Sequence, residues 1–242
     1  MTDQALVTRL AEGCDCIIHT AAMHGSSRGK KSNAEFLQTN IMGAENLFQA
    51  ALKHGIKRLV FSSTMEVHVG VDWRGTGNAV LDETMPPRPN WIYPASKLMI
   101  EELGHMYVRS DRLEVVQMRY MGFDARSMDE LNLWLLCRWL TADDVASANL
   151  LAATKPGLRD EVFNIGPETS LTQQDSFNAI TDPWGVLEKH WPGCSVFIRK
   201  LGLEPKPDHF WPITRIDKAK NMLGWQPQSS FEKYLRKHGW KR

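Results

Sequence analysis

Tyr93 and Lys97, in the stretch YPASK, stand four residues apart, which on a helix places them one turn apart on the same face. An ammonium held beside a phenol favours phenolate and moves the tyrosine from its ordinary pKa of about 10 toward the range of a general acid or base. The same spacing also describes a surface lysine beside a half-buried tyrosine, so the pair takes its meaning from its neighbours. The segment FSST ends at Thr64, after an apolar run. Open α/β sheets receive ligands beyond the carboxyl ends of their strands. There Thr64 would hydrogen-bond the substrate oxygen that Tyr93 protonates or deprotonates, although Ser and Thr after a strand are also ordinary turn formers. Asn40 interrupts an apolar helical stripe. It reads as a buried amide bonding nearby backbone, or as one that also holds a water for proton relay, and the two readings are compatible.

The elements that must position these groups alternate along the chain. Asp3 caps a short helix on which Leu6 and Leu10 share a face and Gly13 is the stop, and CIIH (16–19) then reads as a buried strand. Across 33–54 a helical stripe runs through Leu37, Asn40, Ala44, Leu47 and Ala51 to Gly55. RLVFSS (58–63) is the next strand. Residues 65–90 hold Gly70, Gly75, Gly77, Pro86, Pro87 and Pro89, too many breakers for regular structure, and a loop of this length is often functional. A helix over 93–109, with Pro94 in its first turn, leads to a strand at LEVVQMR (113–119). Further on come a short strand and a helix begun by Asp143 and Asp144, then a strand at EVFNIG (161–166). Asp217 is expected to cap KAKNML before Gly224, and Ser229 with Glu232 to form a capping box for the last helix. Strand and helix alternation implies a mainly parallel sheet covered on both faces.

The chain has 242 residues, 43% hydrophobic and 24% charged, enough for one sizeable core. Its 29 Lys plus Arg against 28 Asp plus Glu give no global field to draw it to nucleic acid or an anionic membrane. Cys14, Cys16, Cys137 and Cys194 lack metal-ligand spacing and read as reduced thiols. With no signal-peptide pattern and no apolar run of spanning length, the expectation is a cytoplasmic protein without metal or membrane partner. Seven of the nine Trp follow residue 130, which marks a compositionally different second half.

CIIHTAAMHG, NIMGAENLFQAA, RLVFSSTMEVHVG, YPASK, TADDVASA, VFNIG and DKAKNMLGWQP occur in the order and at roughly the spacing of the extended short-chain dehydrogenases of the NAD-dependent epimerase/dehydratase group. The chain resembles that family from residue 1 nearly to its end. The resemblance implies a Rossmann-like, doubly wound parallel sheet: a partial dinucleotide-binding domain over 1–120, then a mixed substrate-binding region over 121–242 with returning sheet elements. It implies a catalytic set of Thr64, Tyr93, Lys97 and Asn40. Tyr93 exchanges a proton with a substrate hydroxyl or carbonyl, while NAD or NADP gives or takes hydride at the same carbon. Lys97 also holds the nicotinamide ribose. His19, Thr20, Ala21, Ala22 and Ser62 would lie beside the cofactor, with Tyr120, Met121 and Gly122 flanking the nicotinamide or substrate.

The family's opening strand, glycine-rich turn and helix, which bind the pyrophosphate, do not appear in these residues. Gly75-Thr76-Gly77 lacks the strand before and helix after that such a turn needs, and GSSRGKKS (25–32) is one residue short of a P-loop. Dinucleotide binding by this chain alone is therefore expected to be weak, and the strand at 16–19 to present an open edge that favours a homo-oligomer. The short run between Gly122 and Asp143 looks more like the compact uronate dehydrogenases than the nucleotide-sugar enzymes with longer insertions. The leading expectation is an oxidoreductase, epimerase or dehydratase acting on a sugar or nucleotide sugar. Redox-neutral isomerase or lyase chemistry by the same Tyr-Lys pair, and a non-catalytic binding descendant, stand as alternatives.

Overall fold

Apolar β-branched runs between turn residues give the strands of this computed structural model, which describes residues 1–111 and 113–241. In chain order these are β1 (Cys16–His19), β2 (Arg58–Thr64), β3 (Val80–Leu81), β4 (Glu114–Tyr120), β5 (Gly122–Asp124), β6 (Trp139–Thr141), β7 (Asp160–Ile165) and β8 (Ile213–Thr214). The α-helices are α1 (Gln4–Leu10), α2 (Asn33–Phe36), α3 (Met42–His54), α4 (Trp73–Thr76), α5 (Ile92–Asp111), α6 (Met128–Leu131), α7 (Ala142–Thr154), α8 (Gln173–Asn178), α9 (Pro183–His190), α10 (Cys194–Lys200) and α11 (Phe231–Lys237). The main sheet has the order β1-β2-β4-β7, with β1–β2 and β2–β4 parallel. With its flanking helices this is the Rossmann-like α/β arrangement expected. No helix among the described residues is long and apolar enough to cross a membrane.

The chain divides into two units that interleave along the sequence. The first comprises 1–71, 86–120 and 149–163, and the second 72–85, 121–148 and 164–242. In the first, Ala44, Leu47, Phe48 and Ala51 of α3 pack with Leu59, Phe61 and Val115 of the sheet and Ile100 and Tyr107 of α5. In the second, a separate core gathers Leu131, Leu135, Leu187, Trp191, Phe210, Phe231 and Trp240. The tryptophans of the second half are structural in large part: Trp191 meets Phe231 edge to face at 5.0 Å, and Trp225 Nε1 donates to the Asp144 carbonyl at 3.1 Å.

Several local expectations are corrected. Asp3 does cap α1, but the buried residues there are Val7 and Ala11, while Leu10 is 68% exposed. β1 is only half-buried, with Ile18 45% exposed. The helix over 33–54 is interrupted by a π-helical turn at Leu37–Ile41. The 65–90 stretch is not devoid of regular structure: it holds a 3-10 turn at Met65–His68, α4, and β3, which pairs with β8. Asp217 is itself helical, and the Lys220 amide bonds the Ile216 carbonyl. The last helix is capped by Ser230, whose side chain accepts from the Lys233 amide at 3.2 Å. Ser229 is diverted because its hydroxyl donates to the buried Asp144 carboxylate, which also accepts from Thr141 Oγ1 at 2.8 Å.

Candidate active site

Parallel pairing brings the ends of three strands to one edge of the first unit's sheet. His19 pairs with Phe61, and Thr64 with Tyr120. α5 runs over this sheet, and its stripe at intervals of four residues carries Tyr93, Lys97 and Glu101 inward. Tyr93 is 6% exposed and Lys97 3%, so the pair is not a surface lysine beside a tyrosine. The Thr64 hydroxyl lies near enough to the Tyr93 phenol to lower its pKa. Thr64 Oγ1 also accepts from the Glu66 amide at 3.1 Å, capping the 3-10 turn that follows β2. The packing of α5 on the sheet thus brings Thr64, Tyr93 and Lys97 into one cluster.

The electrostatics differ from the expected ones. Burial and the nearby charge of Glu66 push the Tyr93 phenol up to about 12, against the neighbouring Thr64 hydroxyl, which lowers it. Lys97 does not bring the pKa down: its ammonium donates to the Ser62 backbone carbonyl at 2.6 Å and sits 6.0 Å from the Tyr93 ring centroid. Burial in turn pushes Lys97 down to about 8. His19, buried against Phe61 at 5.4 Å between ring centroids, is pushed down to about 4 by burial, with Lys97 and the chain's amino terminus contributing. It is therefore a neutral imidazole at pH 7.

Asn40 lies in the π-helical turn and is 1% exposed. Its Oδ1 accepts from the Met23 amide at 2.7 Å, and its Nδ2 donates to the Met23 carbonyl at 3.1 Å and to Ser96 Oγ at 2.9 Å. Ser96 Oγ donates to the Tyr93 carbonyl at 2.7 Å. Asn40 therefore ties the segment after β1 to the first turn of α5, the backbone-bonding reading of its sequence. The π turn, a feature that recurs at functional sites, leaves no simple mark in the residue types. In the loop that Asn40 secures, Thr20 and Ala21 are exposed and Ala22 is half-buried. His24 meets Tyr93 edge to face at 4.9 Å, Trp91 lies 5.4 Å from it, and Arg28 covers Trp91 at 4.9 Å.

Ser62 is half-buried, and it and Asn149 act to lower the pKa of the Tyr120 phenol, which burial raises. Met121 and Gly122 belong to the second unit. There the Met121 amide donates to the Ile165 carbonyl at 2.9 Å, and Gly122 lies so close to the Trp139 indole that a Cβ would approach it to 2.8 Å.

One participant went unread in the sequence. Glu101, one turn beyond Lys97, accepts from Ser63 Oγ at 2.5 Å and from Arg119 at 2.9 and 2.6 Å, and the whole cluster is buried. Ser63 and Arg119 are direct partners across β2 and β4, so both reach the same carboxylate. The signal was the continued i, i+4 spacing from Tyr93 through Lys97 to Glu101, with Gly104 beyond it leaving space for Gln117 and Val115.

The donor set fits a ribose diol. Lys97 and Tyr93 present an ammonium and a hydroxyl on adjacent turns of one helix, and the half-buried Ser62 adds a hydroxyl at the strand end. No group of three or more metal-ligating side chains occurs among the described residues.

The model of the NAD dependent epimerase/dehydratase family matches residues 1–123. A dTDP-glucose 4,6-dehydratase of Streptomyces antibioticus is 30% identical over 263 residues, covering 94% of this chain and 77% of that protein. A uronate dehydrogenase of Pseudomonas putida is 31% identical over 158 residues, covering 65% of this chain; the matched part is 55% of that protein, about half its length. Among solved structures, a mutated uronate dehydrogenase superposes with a TM-score of 0.68 at 24% identity, over 98% of this chain and 67% of the other, a likeness of fold.

Proposed function

Because the chain belongs to the NAD-dependent epimerase/dehydratase family, we propose that it is an oxidoreductase, epimerase or dehydratase of a sugar or nucleotide sugar, with Tyr93 as its acid–base residue. The observation that carries this reading is the buried cluster of Thr64, Tyr93 and Lys97, with Lys97 one helical turn from Tyr93. Relatives named as dTDP-glucose 4,6-dehydratase and uronate dehydrogenase support the substrate class.

Tyr93, held at about 12, is a protonated phenol at neutral pH and starts as a proton donor to a carbonyl-like oxygen. Taking a proton from a substrate hydroxyl requires phenolate, which a charged Lys97 closer to the oxygen would favour. Release of Lys97 from the Ser62 carbonyl toward a ribose and the Tyr93 oxygen is the rearrangement this demands. Thr64 orients the reacting oxygen, and Asn40 fixes the loop and helix that flank it. NAD or NADP, held at its ribose by Lys97 and Tyr93 beside His19, Thr20, Ala21, Ala22 and Ser62, supplies hydride exchange when bound.

The test is a panel of uronates, UDP-sugars and dTDP-sugars incubated with NAD or NADP, read by absorbance of the reduced nicotinamide and by product chromatography. Substrate-dependent turnover lost in Tyr93→Phe is expected. Turnover that survives that substitution would remove Tyr93 from the reaction, and no turnover across the panel would favour a binding role.

A further inference from the structure

A second set of reactive side chains lies wholly in the second unit, outside the chemistry above. Asp175 is fully buried at the start of α8, where its Oδ2 closes the helix's capping box by accepting from the Thr172 amide at 2.8 Å and hydroxyl at 2.7 Å. The same oxygen faces His190 Nε2 at 2.9 Å, and Oδ1 accepts from the Lys189 ammonium at 2.6 Å. Burial by itself would raise this carboxyl, but the bonds from Lys189, Thr172 and His190 hold it well below the usual carboxylate range. An ionised carboxylate only accepts, so in the neutral imidazole Nε2 carries the proton and Nδ1 keeps its lone pair. Nδ1 lies 3.3 Å from the Ser170 hydroxyl oxygen, within the looser range of an unliganded nucleophile–base pair.

Ser170 is exposed and opens on a cavity of about 500 Å³, whose lining includes Leu136, Trp191, Phe231, Lys233 and Arg236. Its backbone N–H has no acceptor among the described residues, a donor of the kind an oxyanion needs. We propose that Ser170, His190 and Asp175 form a nucleophilic relay at a second site, which takes small carboxylic esters with their acyl group against the Leu136, Trp191 and Phe231 wall.

The step balances without an oxidant or a metal. Ser170 Oγ forms a bond to the ester carbonyl carbon as its proton passes to His190 Nδ1. The carbon–oxygen bond to the alcohol then breaks, and the alcohol departs with that proton. Water repeats the sequence on the acyl-serine, giving its proton to Nδ1, releasing the acid and restoring the Ser170 hydroxyl. Asp175 holds the imidazole tautomer and offsets the charge that forms on it, so the arrangement is recognised by roles rather than by chain order. Lys189 on the far carboxylate oxygen weakens that offset, and slow turnover follows.

The test uses p-nitrophenyl acetate and butyrate, with a fluorophosphonate probe located by peptide mass spectrometry. The expected result is a single label on Ser170, with hydrolysis at least ~100-fold lower in both Ser170→Ala and His190→Gln, the range of a lost general base. Ser170 is exposed, so an unchanged thermal midpoint in Ser170→Ala separates lost chemistry from lost fold. Label on another residue, hydrolysis unchanged in Ser170→Ala, or neither label nor hydrolysis in the parent chain overturns the proposal.

Discussion

Lys97 holds its ammonium nitrogen 6.0 Å from the centroid of the Tyr93 ring while donating to the Ser62 carbonyl at 2.6 Å. The lysine is thus beside the phenol but engaged elsewhere. Two consequences can be measured. Tyr93→Phe removes one hydroxyl, so stability should fall by only about 1 kcal/mol. Turnover on any substrate found should fall by at least ~100-fold. Chemical denaturation and steady-state rates on the same preparation check both.

Charged Lys97 is the form that favours phenolate, and with its pKa near 8 the charge is lost as pH rises through that value. Activity should therefore decline on a basic limb near pH 8. Lys97→Arg, which stays charged, should move that limb upward, whereas Lys97→Met should lower the rate and abolish the limb. A pH–rate profile of the three proteins decides; an unchanged limb in Lys97→Met would assign it to another group.

His19 gives a stability prediction that needs no substrate. Its pKa falls from 6.5 to about 4 on folding, so between these values the unfolded chain binds more protons than the folded one. The contribution is fully present above pH 6.5 and is lost as pH drops toward 4, to a limit of about 3 kcal/mol. Urea midpoints should fall across this window in the parent chain, and less steeply in His19→Phe. Equal slopes would show that His19 is not the titrating group.

The placement of the candidate residues was legible where it depended on local spacing. Tyr93 to Lys97 is one helical turn, Thr64 ends its strand, and Asn40 is the polar break in an apolar stripe. What could not be read was set by partners far along the chain. The acceptor of Lys97 is a backbone carbonyl 35 residues away, which carries no residue signature. The local rule for a capping box chose Ser229, but Asp144, 85 residues distant, takes its hydroxyl and leaves Ser230 as the cap. Which side of α1 is buried was decided by its packing on α3, which takes Val7 and Ala11 rather than Leu6 and Leu10.

Glu101 and Arg119 are predicted to set the height of α5 on the sheet. Glu101→Gln leaves the Arg119 guanidinium buried without its counter-charge, and breaking such a pair typically costs about 3–5 kcal/mol. Calorimetry should show that loss, with Arg119→Met/Glu101→Leu recovering part of it because both charges are gone. If the single substitution costs under about 1 kcal/mol, the pair does not hold the helix.

The last prediction concerns β1, which pairs with β2 on one side and has no strand on the other among the described residues. An edge of this kind presents unpaired backbone groups in a row. Here they are flanked by Ile17 and Ile18, with no charge or proline inside Cys16–His19 to discourage pairing. The occupant expected is the same edge of a second copy, which would make the protein a homo-oligomer. Ile17 packs against the first unit's core, so substituting it would confound folding with assembly. The exposed Ile18 is the better probe: Ile18→Lys places a charge at the edge and should cost no more than about 0.5 kcal/mol. Sedimentation velocity over a range of concentrations should show the parent chain self-associating and Ile18→Lys shifted toward monomer. A parent chain that stays monomeric at the highest concentration would mean that this edge does not pair.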